Sequence, residues 1–379
     1  MNFPTLHTIR GQPSWSFRSN RVQANLTQLG GHLGPVTFRV GGKNIAPFSV
    51  APWAGEKLAP DTPDIIRVLR GDFFCAPFGG NATPWRGEQH PVHGEAANGR
   101  WHLDAFERTG DRVTLRASLA QKIRRGRVDK FVTLIDGHSA VYQRHVISGA
   151  SGPMNLGHHA MLKFPEAPGS GVISTSAFVR AQVFPGAFEN PEQFGYQSLK
   201  PAATFRSLSR VPLLNGGTTD LSRYPARQGF EDLVMLTANP KLPFAWTAVT
   251  FPKERYVWFA LRDPRQLRHT ILWISNGGRH YAPWSSRHTA VMGLEDVMAY
   301  FHYGLAESAK PNPLNRKGIP TSVALHPKRP TAISYIMGLA AIPAGFDRVA
   351  EIKAAKNGVD LISVRGHRVH GAIDLSWLK

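Results

Sequence analysis

The stretch NLGHHAMLKF, residues 155–164, sets two histidines side by side in an apolar run. Successive side chains on a strand point to opposite faces, so His158 and His159 meet different surroundings and at most one of them faces a given site. Two other segments carry ionisable residues among glycine, proline and aromatics. RGDFFCAPFGGNATPWRGEQHPVHGEAANGRW, residues 70–101, holds Arg70, Asp72, Arg86, Glu88, His90 and His93; LWISNGGRHYAPWSSRHTAVMGLEDVMAY, residues 272–300, places Glu295 beside an apolar run. A carboxyl group titrating near pH 4 and an imidazole near 6.5 make a workable general acid–base pair at neutral pH. Each signal also has a plain structural reading. His93-Gly94 reads as a turn, a histidine beside an apolar strand as a core residue, and Glu295 as a charge offsetting a helix dipole. A metal site would draw on His90, His93, His158 and His159, with Glu88 to complete it. Pro91 and Gly94 disfavour the helix that would align His90 with His93, and strand alternation parts His158 from His159. No metal and no cofactor are expected.

The elements that must position these residues are mostly strands. RVQANLTQLGGHLGPVTFRVGG alternates apolar and polar residues and breaks at Gly30-Gly31, as two strands around a turn do. The run from Arg100 to Gly149 continues the pattern, with Thr-Gly-Asp, Arg-Gly-Arg and Asp-Gly-His as turns. EDLVMLTAN, FAWTAVTF, RYVWFALR and HTILWISNG read as further strands. Helices are few: a short one within MGLEDVMAYFHYGLAESA, and AGFDRVAEIKAAKNG, stopped by Asn357-Gly358. VDLISVRG and RVHGAIDLSWL then form a hairpin about Gly366-His367. The division expected is an all-β unit of large antiparallel sheets over residues 1–343, and a C-terminal helix-and-hairpin appendage over 344–379. Pro/Gly-rich stretches at 43–63, 165–171 and 309–320 read as long loops over the sheets, where binding sites often lie.

The chain has 379 residues, 42% of them hydrophobic, ample for a sizeable core. Cys75 is the one cysteine, which excludes an internal disulfide and a thiolate cluster; Phe74 and Ala76 beside it favour a buried, inert thiol. No apolar stretch reaches the ~18 residues of a membrane span. The opening MNFPTLHTIRGQPSW lacks the charged-then-apolar pattern of a secretory leader, so a cytoplasmic location is expected. Lys and Arg outnumber Asp and Glu by 45 to 26, a net charge of +19. The basic residues are scattered, the densest cluster being QKIRRGRVDKF at 121–131, and no nucleic-acid-binding signature accompanies them. The expected partner is a small molecule, with the positive field leaving an anionic one such as a uronate or phosphate open.

The three segments together resemble the galactose mutarotase-like (aldose 1-epimerase) superfamily, near its hexose-6-phosphate mutarotase branch, over roughly residues 20–340. RGDFFCAPFGGN…HPVHG…RW is similar to the Arg-Gly, Pro-Phe-Gly, His-Gly and Trp run of that superfamily. NLGHHAMLKF is similar to its Leu-Gly-x-His, LWISNGG…VMGLED to its strand and Gly-x-Glu, and VALHPKRPTAISYIMG to its closing strand. The resemblance implies a β-supersandwich with a sugar in an open cleft, and an enzyme that interconverts the anomers of a carbohydrate by ring opening. It implies Glu295 as base and His159 as acid. Arg70, His93 and Arg86 would hold the sugar's oxygens, and Trp85, Tyr281 or Trp284 would pack on its ring. The alternative is a carbohydrate-binding or regulatory protein on the same fold without turnover. Three departures stand out. Glu95-Ala96-Ala97 replaces the branch's Phe-Ala-Arg after His-Gly, Ala160-Met161-Leu162 replaces Pro-Tyr-Phe after the second histidine, and Glu231-Asp232 stands where Asp-Asp is usual.

Overall fold

Short antiparallel strands dominate the computed structural model, which describes residues 4–379. Two large sheets face each other. The first has nine strands, at whose heart Thr331–Ala341 pairs with Ala140–Ser148 on one side and Tyr256–Arg262 on the other. The second has eight. Its central strand Val291–Met298 pairs with His269–Asn276, and across its other edge with the short strands Leu156–His158 and Ala160–Lys163. A five-stranded N-terminal sheet, Leu6–Ile9 through Lys43–Ile45, adds Trp15, Phe17, Leu26, Val36 and Phe38 to the core between them.

Alternation explains why the strands of the second sheet read as unbroken apolar runs. Val234, Leu236, Leu272, Ile274, Met292 and Leu294 face the first sheet. Their neighbours Leu233, Met235, Ile271, Trp273, Val291 and Val297 face outward, into a second core formed with Trp53, Ile65, Leu69, Phe73, Phe184, Trp284 and Phe301. The loop over residues 46–63 and the chain after Met298 therefore roof the outer face, as the Pro/Gly-rich composition of both stretches suggests. Buried on both sides, the sheet has no polar face to alternate with.

The C-terminal region corrects one expectation. No helix forms over AGFDRVAEIKAAKNG; Val349–Ala355 is a strand, joined to Gly358–Ser363 and Arg368–Ala372 in a three-stranded antiparallel sheet. The hairpin about Gly366-His367 is present as read. A register shift between Val349 and Glu351 marks a β-bulge, which turns Val349 and Ile352 to the same face. Buried residues three apart then mimic helical spacing. Val349, Ile352, Val359 and Leu361 pack on Trp246, Phe259, Leu261 and Ile336, the outer face of the nine-stranded sheet. Among the described residues no helix is long and apolar enough to cross a membrane.

Candidate active site

Strand register builds the centre. Gly157 pairs with Val297 and Ala160 with Leu294, so in the same register His159 lies across from Glu295 and His158 across from Asp296. His159 falls between two short strands, and its backbone N–H donates to Phe73 O at 2.9 Å. The odd-numbered pair faces outward and the even-numbered pair inward. His159 Nε2 stands 3.2 Å from Glu295 Oε1, with both side chains buried. His158 Nδ1 instead meets Asp72 Oδ2 at 2.9 Å between the sheets, its ring stacked on Tyr335. Asp296 accepts from Tyr335 and Thr270 and pairs with Arg262 at 2.8 Å. The two adjacent histidines thus work on opposite sides of one sheet.

Two glycines make room around the couple. A Cβ on Gly293 would lie 2.6 Å from Glu295 Oε1, and one on Gly157 would lie 2.5 Å from Asp296 O. The Gly-x-Glu spacing is therefore steric, since the glycine precedes the carboxyl residue by two and shares its face. Gly157 instead lets the strand that leads to His159 lie close against Val291–Met298.

His159 and Glu295 line a cavity of about 280 Å³ on the outer face of the second sheet. Phe73, Leu69, Trp273, Trp284, Phe188 and Ile66 make much of its wall apolar and aromatic. Phe73 is stacked between His32 and His159, at centroid separations of 4.1 and 4.4 Å. His93 and His302 close one side with their Nε2 atoms 3.2 Å apart. Gly79 N–H donates to His93 Nδ1, so neutral His93 carries its proton on Nε2 and gives it to His302. Arg279 reaches in over Trp284, 4.6 Å from the ring centre, with its guanidinium held by Glu189 at 2.7 Å.

Burial sets the charge states. It pushes Glu295 well above the usual carboxyl range, helped by the neighbouring Asp296, and it holds His159 down to about 3, with His302 adding to the effect. The couple is therefore a neutral acid and a neutral imidazole rather than an ion pair, with the proton on the carboxyl group. Glu295 Oε2 and His159 Nδ1 have no partner among the described residues. Burial likewise lowers His93, and with Arg279 it holds His302 to about 4. Glu231 is raised by burial to about 8; it faces Trp273 Nε1 and Ser275 Oγ at 3.0 and 2.9 Å. Arg279 stays protonated against burial because Glu189 and Glu231 lie beside it.

The sequence-selected residues divide. His159, Glu295, His93, Tyr281 and Trp284 come together around the cavity. Arg70 does not: its guanidinium donates to Val68 O, Ile9 O and Arg10 O, tying down the N-terminal sheet. Trp85 and Arg86 also lie outside the lining, on a tight turn where Arg86 covers the Trp85 ring at 5.0 Å. The histidines of the metal reading scatter: His90 binds Glu88, His158 binds Asp72 and His93 meets His302. Among the described residues no group of three or more His, Cys, Asp or Glu is placed to hold a metal ion. Sequence reasoning missed Phe73, Trp273, Phe188, Arg279 and His302. The strand alternation that puts Glu295 on the outer face signals Trp273 on the paired strand; His302 and Arg279 arrive on loops with no local signature.

No family model and no curated protein sequence matches this chain. Solved structures do. A galactose mutarotase-like protein from Clostridium acetobutylicum superposes with a TM-score of 0.59 at 10% identity, over 89% of this chain and 98% of that one. The galactose mutarotase related enzyme of Lactobacillus acidophilus gives 0.54 at 11% identity, over 86% and 97%. An Escherichia coli K12 protein provisionally named as an aldose 1-epimerase gives 0.55 at 12%, over 88% and 100%. Likeness along nearly the whole of each chain, at identities this low, is a likeness of fold: the chain folds as a galactose mutarotase-like β-supersandwich.

Proposed function

We propose that this protein is a mutarotase that interconverts the anomers of an aldose, with Glu295 and His159 as its acid–base couple. The observation that carries the reading is the buried 3.2 Å contact between the two at the wall of an aromatic cavity, each with a second polar atom left without a partner. Unpaired buried polar atoms are costly, and a ligand's hydroxyl and ring oxygens would satisfy them. The couple holds one exchangeable proton. In the resting pocket that proton lies on Glu295, so Glu295 gives it to the ring oxygen as the C1–O5 bond breaks, while His159 takes the proton of the C1 hydroxyl. The open-chain aldehyde turns about C1–C2 and recloses with the roles exchanged. This order begins opposite to that implied by the sequence resemblance, and because closure reverses opening, each group serves in both roles. Trp273, Trp284 and Phe188 line the cavity with apolar surface for the C–H side of a sugar ring.

The aldose is uncharged in this reading. Arg279, the cation of the lining, is already paired with Glu189, and the lining histidines are held neutral. The test is NMR exchange spectroscopy on a panel of aldoses and their phosphates. One neutral aldose should exchange anomers faster with the protein, and Glu295→Gln should remove about 10²–10⁴-fold of the acceleration while binding persists. If a sugar binds but no anomer exchange is accelerated, the non-catalytic binding reading takes its place.

A further inference from the structure

A second cleft lies at the seam between the supersandwich and the C-terminal sheet, apart from the cavity described above. Its volume is about 580 Å³, within the range of small-ligand sites. One wall is the strand Gly171–Thr175, next to the two-residue edge strand Arg223–Tyr224; the facing wall is Arg348, Val349 and Ala350 at the start of Val349–Ala355. The excursion over residues 204–223 closes the third side.

Three arginines from three distant segments, Arg206, Arg223 and Arg348, converge on this cleft. None has an acidic side chain within ion-pair distance among the described residues, unlike Arg116, Arg124 or Arg127 elsewhere in the chain. The two acids nearby are engaged. Asp220 accepts from the backbone N–H and the hydroxyl of Ser222, and Asp347 faces Arg365. Hydroxyls add donors: Ser207 and Ser209 bond one another at 2.8 Å on the rim. Ser174, only 7% exposed, lines the cleft with its Oγ unpartnered. The three arginines outweigh Asp220, the one acid of the lining, and leave an excess of positive charge, while a buried hydroxyl without a partner is costly. One bound anion relieves both.

We propose that this cleft binds a small molecule carrying two or more phosphate groups, with the arginines as forked donors and Ser174 as a buried hydrogen-bond partner. Arginine suits phosphate because its planar fork matches two oxygens at once. A concave site of this size favours a small molecule over a nucleic-acid strand, which needs a groove with stacking platforms along it. The ligand would bridge the C-terminal sheet to the sandwich. Its binding therefore stabilises the fold and is independent of the acid–base couple.

The experiment uses inorganic pyrophosphate as probe on the full chain, by calorimetry and thermal melting, with sodium chloride matched for ionic strength. One pyrophosphate per chain should bind and raise Tm. The triple variant Arg206→Gln/Arg223→Gln/Arg348→Gln should bind at least about tenfold more weakly. Ser174→Ala should weaken binding less. Arg316→Gln, an exposed arginine away from the cleft, should bind like the parent. All three side chains are exposed, so the triple variant should keep the parent's circular dichroism, with a ligand-free Tm equal to the parent's or slightly above it as the repulsion is removed. The proposal is overturned if pyrophosphate does not bind, if the triple variant binds as the parent does, or if a single-stranded oligonucleotide binds more tightly than pyrophosphate at matched salt.

Discussion

Glu295 and His159 are ordinary residue types made unusual by where they stand. A carboxyl group 1% exposed, beside an aspartate and without a cation in contact, keeps its proton; an imidazole 4% exposed, among other histidines, stays neutral. The pH dependence of anomer exchange should reflect this. Ordinary histidine catalysis inflects near 6.5. Here the rate should stay level through that region, fall in strong acid as His159 becomes charged, and fall in alkali as Glu295 loses its proton. A rate profile with an inflection near 6.5 that Glu295→Gln leaves in place would count against the couple. His159→Asn should cost about as much as Glu295→Gln, since removing either partner leaves a proton with nowhere to go.

At the scale of the element, the central strand Val291–Met298 and its neighbours do the positioning, and their glycines have separable roles. Gly293→Ala would push the Glu295 carboxyl group aside first and crowd Trp273 Cβ, 3.1 Å away on the paired strand, more gently. Exchange should fall about 10–100-fold, with a smaller loss of stability than Gly157→Ala brings. Gly157→Ala would press on backbone in the adjoining strand and should cost about 1–3 kcal/mol of stability, read by urea unfolding. Glu231 gives a stability prediction with a definite sign. Its folded-state value of about 8 lies above that of an unfolded glutamate near 4.5, so the folded state holds this proton where the unfolded state has lost it. The stability it contributes is complete at low pH and drains away between about 4.5 and 8. Glu231→Gln keeps the shape without the titration; it turns one oxygen that accepts from Trp273, or from Ser275 and Gly278, into a donor, an offset that does not vary with pH. Its stability relative to the parent should rise with pH across that window, and a difference constant from pH 5 to 8.5 would refute the assignment.

For the whole molecule, the C-terminal sheet and the distribution of charge matter most. Residues 344–379 cover Trp246, Phe259, Leu261 and Ile336. Cutting the chain after residue 343 should leave a large apolar face exposed, giving aggregation in size-exclusion chromatography and binding of a hydrophobic dye. A monodisperse product with the parent's Tm would show that the appendage is an independent unit. The net charge of +19 has no counterpart in the cavity beside Glu295 and His159, where Arg279 is neutralised by Glu189. It is spread over the surface, and it gathers without partners in the cleft beside the C-terminal sheet.

Much of this was legible in the residues alone. Period-two alternation and turn residues specify antiparallel strands, because side-chain direction depends only on neighbours along the chain. The same alternation separates His158 from His159, and two-residue spacing ties Gly293 to Glu295. What tertiary structure decided is what depends on distant segments meeting. Arg70 looked like a ligand and is a backbone clamp, because the N-terminal sheet brings Ile9 O and Arg10 O to its guanidinium. Arg279 and His302 carry no signal in the residues around them, yet they line the cavity because loops roof the outer face of the sheet. Val349 and Ile352 looked helical because one bulge residue shifts the register, and a bulge is defined by the strand opposite. The protonation of Glu295 also belongs to the fold: a pKa follows the solvent and charges around a group, and no stretch of sequence contains those.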